Sequence, residues 1–267
     1  MNAQMLKGKP TRIFPFLGNM ILLLTISLNS LNAQSMKVTN VVLVHGAFAD
    51  GSGWKGIYDI LVKKGYNVTI VQNPLSSLED DVAVTNLALD KQVGSVILVG
   101  HSWGGAVITQ AGVHNKVVGL VFVAAFQPDF GESCLTWYSS MSPLAENGIM
   151  APDKKGFVYY SKEKYHAGFC ADLSRQESEF MYASQGAFAA KAFGTPVTKV
   201  AWKNKPSYSI IATEDKSIRP EIEEKMYLRS NTKITKIKGS HAVFISQPDA
   251  VAKVIVEAAE TASKATK

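Results

Sequence analysis

The sequence predicts an α/β fold with a mostly parallel central sheet and helices on both faces. Short apolar runs of the kind that form buried strands alternate along the chain with segments of helical periodicity. Such alternation requires crossover connections, and these place helices on both sides of a parallel sheet. From about residue 127 to residue 204 the alternation stops, and the segment is rich in aromatic residues. We therefore predict one α/β domain that carries a large insertion.

Four strands and three helices are predicted before the insertion. The strands are 37–44, 67–71, 96–99 and 117–125. Trp54, Ile57 and Leu61 have the spacing of one helix face, and the third helix runs to about residue 114. Ser77 is the predicted N-cap of the second helix, and the acids at 79–81 fill its first turn. We interpret these acids as a helix N-terminus and not as a metal or acid/base site.

The alternation of strands and helices resumes after the insertion. The predicted strands are 207–213 and 232–237, and Pro220 begins the helix between them. We expect Ser246 to cap the closing helix, with Asp249 at N3. A loop as long as the insertion would be unusual in a compact domain, and helical patterns within it, for example over 174–193, predict helices there.

A serine lies between two glycines where a predicted strand meets a predicted helix. The apolar run Val96–Val99 leads directly into Gly100-His101-Ser102-Trp103-Gly104. The glycines allow a tight strand-to-helix turn that holds Ser102 in a strained backbone conformation, with its hydroxyl exposed at the end of the sheet. The N–H groups of the following helix point toward negative charge that forms there. Ser102 is therefore the predicted nucleophile.

Four segments together resemble the α/β-hydrolase superfamily: HGAFADGSGW, GHSWGG, ATEDKSI and GSHAVFISQP. Over about residues 38–262 the chain is similar to small serine esterases related to plant methyl-salicylate esterases, hydroxynitrile lyases and bacterial pyrethroid-type carboxylesterases. The resemblance implies the α/β-hydrolase fold, with the insertion as a helical cap over the active site. It also implies that the catalytic groups follow one another along the chain as serine, acid and histidine.

A serine hydroxyl needs a base to become nucleophilic, and the base needs an acid to orient it and to stabilise its positive charge. Of the five histidines, His241 follows the last predicted strand in a short Gly-Ser loop, so it is the expected base. Asp215 follows the strand 207–213 and matches the family position in ATEDKSI. Asp129 and Glu214 remain alternatives for the acid.

The oxyanion of an acyl-transfer reaction needs two N–H donors. The residue after the nucleophile supplies one, which here is Trp103. By resemblance, the turn after the first strand supplies the other, from Ala47 or, as the next candidate, from Phe48. The expected function is therefore that of a serine hydrolase. It would cleave a small or medium apolar carboxylic ester through an acyl-enzyme, without a metal or an organic cofactor.

Two other functions remain open at the level of the sequence. Hydroxynitrile lyases of the similar family use the same triad and usually have an added lysine in the pocket. The insertion contains several lysines that could serve, namely Lys154, Lys155, Lys162 and Lys164. A protein that binds a ligand on a hydrolase scaffold without turning it over is the second alternative.

The first 34 residues have the layout of a secretory signal peptide. Three basic residues precede the apolar stretch 13–31, and small residues near Ala33 offer a cleavage site. An N-terminal membrane anchor is the alternative. Removal of this segment lowers the formal charge from +6 to +3, so the basic charge does not indicate nucleic-acid binding. We expect an exported protein, periplasmic or extracellular, with no stable membrane association after cleavage.

The chain has two cysteines, Cys134 and Cys170. In an oxidising compartment an even pair can form a disulfide. Two free thiols are the alternative, and neither cysteine has metal-ligand spacing to a histidine.

Overall fold

A computed structural model of the chain describes Met1, Gly8 and residues 37–265. Apart from Met1 and Gly8, the predicted signal peptide 1–34 lies outside the described residues. Within the described part of the chain, no helix combines the length and the hydropathy needed to cross a membrane.

Strands and helices alternate along the described chain. The strands are β1 Asn40–Val44, β2 Asn67–Val71, β3 Val96–His101, β4 Val117–Val123, β5 Phe157–Val158, β6 Phe188–Ala189, β7 Ser207–Ala212 and β8 Thr232–Ile237. The helices are α1 Lys55–Lys63, α2 Leu78–Asp90, α3 Gly104–Ala111, α4 Cys134–Tyr138, α5 Lys162–Phe169, α6 Arg175–Ser184, α7 Ala190–Gly194, α8 Pro220–Tyr227, α9 Val243–Ser246 and α10 Pro248–Ala265. Short 3₁₀ turns occur at Gly51–Trp54 and Ala201–Lys203.

Within residues 37–265, six strands form a parallel sheet in the order β2-β1-β3-β4-β7-β8. The predicted fold class, an α/β fold with a parallel central sheet, is confirmed. Because all six strands run in the same direction, the loops that follow them meet at one edge of the sheet. Ligand sites in open α/β sheets form at this edge.

Alternate residues of the central strands pack on opposite faces of the sheet. Leu98 and Phe122 belong to the apolar cluster that includes the buried faces of α2, α3 and α8. Val99 and Val121 belong to the cluster that includes α1 and α10. All four side chains are fully buried. Burial of each such side chain stabilises the fold by about 1.5–3 kcal/mol. Because side chains alternate between the two faces, a slip of one residue would move each of them to the wrong helix layer, so this burial fixes the register of the strands.

One predicted helix cap is confirmed and another is wrong. The Ser77 hydroxyl accepts a hydrogen bond from the Asp80 N–H at 3.0 Å and so begins α2 as predicted. Ser246 does not cap the closing helix, because the separate short helix α9 ends at this residue. Its hydroxyl instead donates to Asp172, at 2.7 Å.

The insertion lies between β4 and β7 and contains α4 to α7 together with an antiparallel pair, β5 and β6. The helical pattern predicted over 174–193 is interrupted, since α6 ends at Ser184 and β6 precedes α7. Several aromatic side chains of the insertion are fully buried, among them Tyr160, Tyr165 and Phe169.

Candidate active site

Ser102 lies in a sharp turn between β3 and α3, and its φ of +53° is in the left-handed region. A side chain at either flanking glycine would collide with backbone atoms. A Cβ at Gly100 would lie 2.5 Å from the Gly104 carbonyl oxygen, and one at Gly104 would lie 2.7 Å from the Val44 carbonyl oxygen. The left-handed φ of Ser102 costs about 1–3 kcal/mol, and such backbone strain persists where the surrounding structure enforces it. The turn therefore has the strained backbone that the sequence predicts, but Ser102 is buried, with 7% of its surface exposed.

His241 and Asp215 form a buried hydrogen-bonded pair. The Nδ1 of His241 lies 2.6 Å from Oδ2 of Asp215, and both residues are about 1% exposed. The other carboxylate oxygen, Oδ1, accepts hydrogen bonds from the N–H groups of Ser217 and Ile218 at 2.7 and 2.9 Å. Because a carboxylate only accepts, Nδ1 of His241 donates and Nε2 is left to act as an acceptor.

The two alternative acids lie elsewhere. Asp129 pairs with Lys203 at 2.5 Å. Glu214 faces Lys238 at 3.6 Å, and its side chain is half exposed. The structure therefore brings Asp215, and neither alternative, to His241.

Two other histidines support the site as neutral rings. The Nε2 of His101 donates to the carbonyl oxygen of His241 at 3.0 Å, and its ring centroid lies 4.7 Å from that of His241. Burial, followed by the nearby His241, holds the pKa of His101 well below its usual value. His45 accepts the N–H of Asn73 at Nε2, at 2.9 Å, so its proton is on Nδ1. Burial also lowers the pKa of His45.

The predicted oxyanion donors lie together near Ser102. Among the described residues, the N–H groups of Ala47, Phe48 and Trp103 have no hydrogen-bond acceptor. The protonated Nδ1 of His45 donates to the carbonyl oxygen of Gly46 at 2.8 Å. Since the C=O and N–H of a trans peptide point in opposite directions, this bond fixes the direction of the Ala47 N–H.

These groups line a cavity of about 320 Å³. Its wall contains Ser102, His241, Ala47, Phe48 and Trp103, together with apolar side chains of the insertion. None of the described residues that line it is Lys, Arg, Asp or Glu. A cavity of this size and lining suits a small apolar molecule held beside a few polar groups.

The sequence matches the model of the alpha/beta hydrolase family over residues 41–254. The chain belongs to the α/β hydrolase family. This finding confirms the resemblance stated from the four sequence segments.

Relatives of this α/β hydrolase include proteins named as esterases and hydrolases. The chain is 26% identical to "putative methylesterase 14, chloroplastic" of Arabidopsis thaliana, over 85% of this chain and 74% of the relative. It is also 26% identical to a pyrethroid hydrolase of Sphingobium wenxiniae, over 84% of this chain and 89% of the relative. The crystal structure of a pyrethroid hydrolase from Sphingobium faniae superposes with a TM-score of 0.71 over 85% of this chain and 99% of the other, at 20% identity. The last likeness concerns the fold.

One buried contact next to Ser102 of this α/β hydrolase does not follow from the sequence. Asp81 is fully buried and accepts hydrogen bonds from the Trp103 indole at 2.7 Å and from the Leu75 N–H at 2.8 Å. Burial raises its pKa to about 6, although both hydrogen bonds act in the opposite direction. The signal was its spacing, since Asp81 shares a helix face with the buried Leu78 and Thr85.

A second missed residue, Glu223, lies on the buried face of α8. Its carboxyl group is fully buried beside the side chain of Asp215. Burial, followed by the charge of the neighbouring Asp215, raises the pKa of Glu223 well above its usual value. Two adjacent buried carboxyl groups do not both ionise, so Glu223 is the neutral member of this pair.

The candidate lysines of the hydrolase's insertion do not line the cavity. Lys164, for example, donates to the carbonyl oxygens of Ala145 and Asn147 at 2.9 and 3.3 Å.

The two cysteines are free thiols and do not form a disulfide. Cys134 and Cys170 are both buried, and burial raises the pKa of each.

Proposed function

We propose that this protein is a serine esterase that cleaves small or medium apolar carboxylic esters. The observation that carries the proposal is the location of Ser102 and the Asp215-bonded His241 in one uncharged cavity. Membership of the α/β hydrolase family and the esterase-named relatives support ester hydrolysis in general.

In the first half of the reaction, Ser102 attacks the ester carbonyl. His241 takes the hydroxyl proton at Nε2, because Nδ1 is occupied by Asp215. The negative charge that forms on the carbonyl oxygen is stabilised by the N–H of Trp103 and by that of Ala47 or Phe48. His241 then protonates the leaving alcohol, and the acyl group stays on Ser102.

In the second half, His241 activates a water molecule that attacks the acyl-enzyme. The same N–H groups stabilise the second oxyanion, and the acid is released with Ser102 regenerated. His101 stays neutral throughout because it is buried, so it does not compete with His241 for the proton. Asp215 stabilises the positive charge that His241 carries in each transition state.

The absence of a charged side chain from the described cavity wall guides the choice of substrate. A carboxylate or ammonium group in this cavity would lose its hydration without gaining a partner of opposite charge. We therefore infer that the acyl and alcohol groups of the substrate are both uncharged. The added lysine that hydroxynitrile lyases usually have is absent from the described residues of the cavity wall, which does not favour the lyase alternative.

The decisive experiment measures turnover of p-nitrophenyl esters of increasing acyl length, beside amides and lactones, with the protein and with Ser102→Ala. We expect ester turnover by the protein and a loss in kcat on the order of 10⁶ in the variant. A fluorophosphonate should label Ser102 alone. Wild-type turnover in Ser102→Ala would refute the proposal. Release of cyanide from a cyanohydrin without ester turnover would favour the lyase. Tight binding of an ester without turnover would favour the ligand-binding protein.

A further inference from the structure

The loop that carries His241 is tied to the insertion on both sides of the histidine. The N–H of Ser240 donates to Oδ2 of Asp172 at 2.8 Å, and the Ser240 hydroxyl donates to Oδ1 of the same carboxylate. On the other side, the N–H of Ala242 donates to the carbonyl oxygen of Phe169 at 3.0 Å. The position of the histidine loop therefore depends on hydrogen-bond acceptors in a segment about 70 residues earlier in the chain.

Asp172 links the two ends of the histidine loop through one side chain. Besides Ser240, it accepts the hydroxyl of Ser246 at 2.7 Å, at the end of the helix that follows His241. Burial acts to raise the pKa of Asp172, but the hydrogen bonds from Ser240 and Ser246 outweigh it, so the pKa lies below its usual value. Asp172 is therefore an anion at neutral pH, and its hydrogen bonds are of the stronger, charge-assisted kind.

The segment 165–172 also contacts the other loops of the candidate site. The Tyr165 hydroxyl donates to the carbonyl oxygen of Phe48 at 2.6 Å. The hydroxyl of Ser217, in the loop of Asp215, donates to the carbonyl oxygen of Gly168 at 2.9 Å. One short stretch of the insertion thus holds the loops that supply the acid, the base and one candidate oxyanion donor. Within this stretch, Asp172 has the most hydrogen bonds to the histidine loop.

We propose that Asp172 is a positioning residue that holds His241 in place for proton transfer with Ser102. The proposal rests on the function proposed above. Asp172 is outside the cavity wall, so it acts on His241 through the loop and not on the substrate. A displacement of a catalytic group by about 1 Å can lower the rate about 10²-fold, which sets the scale of the expected effect.

The test compares Asp172→Ala with Asp172→Asn on the full chain, with p-nitrophenyl butyrate as the substrate. Alanine removes all three acceptor contacts. Asparagine keeps one carbonyl oxygen for the Ser240 N–H, and its amide can donate to the rotatable Ser240 hydroxyl. We expect a 10- to 100-fold lower kcat for Asp172→Ala with KM changed by about twofold or less, and kcat within about threefold of wild type for Asp172→Asn.

Glu177→Ala is the matched control. Glu177 lies in the same insertion and also accepts a serine N–H and hydroxyl, those of Ser174, at 2.9 and 2.7 Å. Its contacts cap α6 and do not involve the histidine loop. We expect a lower melting temperature for this variant with kcat unchanged. An equal loss of kcat in Glu177→Ala would overturn the proposal, because it would show a general effect of loosening the insertion.

The labelling rate of Ser102 by a fluorophosphonate separates the failure of this proposal from that of the proposed function. A wild-type protein that neither turns over the ester nor reacts with the reagent contradicts the proposed function. A reactive wild-type protein, with Asp172→Ala equal to it in kcat and in labelling rate, contradicts only the positioning role. If Asp172→Ala does not fold, Ser240→Ala replaces it: a several-fold lower kcat at unchanged KM supports the proposal, and wild-type kcat overturns it.

Discussion

Asp81 forms a buried hydrogen bond of 2.7 Å with Trp103, the residue that follows Ser102. The backbone N–H of the same tryptophan is a proposed oxyanion donor, so this bond anchors the residue that provides it. A buried carboxyl group with a raised pKa also links protonation to stability. The contact therefore has consequences for both the site and the fold.

The pKa of Asp81 predicts how stability depends on pH. Because burial raises it to about 6 in the folded protein, the folded state binds the proton more tightly than the unfolded chain does. The contribution of Asp81 to the free energy of unfolding therefore falls as pH rises from about 4 to about 6. We expect the free energy of unfolding of wild type, relative to that of Asp81→Asn, to fall across that range, measured by urea unfolding at each pH. Asparagine also leaves one N–H donor without an acceptor, which lowers stability at pH 4 by about 1–3 kcal/mol.

Asp80→Asn is the control for this measurement. Asp80 is the preceding residue, and hydrogen bonds from Ser76 and Ser77 lower its pKa, so its effect on stability has the opposite sign. The same pH dependence in Asp81→Asn as in wild type would contradict the assignment.

Glu223 gives a second, independent prediction about stability. Because its pKa is raised in the folded protein, its contribution to the free energy of unfolding falls as pH rises above the usual pKa of a glutamate. Glu223→Gln keeps the size of the neutral acid and cannot ionise. We expect it to gain in melting temperature relative to wild type as pH is raised from 5 to 9. Glu224→Gln, which loses only the ion pair with Lys236, should show no such trend. An identical trend in both variants would rule out the buried carboxyl as its source.

The parts of the site that the sequence predicts depend on local pattern. The strained turn at Ser102 follows from two glycines between a buried strand and a helix, and the structure has that turn. Asp215 and His241 each lie in a short loop after a strand, so the parallel sheet brings them to one edge. Short-range sequence features and the sheet topology are therefore sufficient to predict the location of these three residues.

The parts that the sequence does not predict depend on contacts between distant segments. Asp81 has the sequence context of an ordinary helix N-terminus, and only the fold brings the Trp103 indole to it. The sequence around Ser246 is typical of a helix cap, but its hydroxyl donates to Asp172, 74 residues away. Such polar contacts leave little periodic signal, because each involves one side chain and a partner chosen by the tertiary fold.

The cavity predicts how acyl length controls the rate. Ala190 lines it at the start of α7, beside the aromatic rings of the insertion. Ala190→Phe fills part of the volume, so we expect kcat/KM to fall more for p-nitrophenyl hexanoate than for the acetate. Each methylene of the acyl chain that no longer fits lowers kcat/KM by roughly 10- to 200-fold, which corresponds to about 1–3 kcal/mol. Ala183→Phe, on the exposed surface of α6, should leave the ratio of the two esters unchanged. An unchanged ratio in Ala190→Phe would place the acyl group elsewhere.

The bond between Asp215 and His241 predicts the effect of replacing a single oxygen. In Asp215→Asn, the remaining carbonyl oxygen can still accept from Ser217 and Ile218, so the loop keeps its hydrogen bonds. The new amide then faces Nδ1 of His241 as a donor and forces the proton onto Nε2, where it blocks the acceptance of the Ser102 proton. We expect kcat to fall on the order of 10⁴ with the melting temperature nearly unchanged, measured with p-nitrophenyl butyrate. Asp129→Asn, at the alternative acid, should retain wild-type kcat because it loses only the pairing with Lys203. The reverse result, an active Asp215→Asn and an inactive Asp129→Asn, would transfer the role of the acid to Asp129.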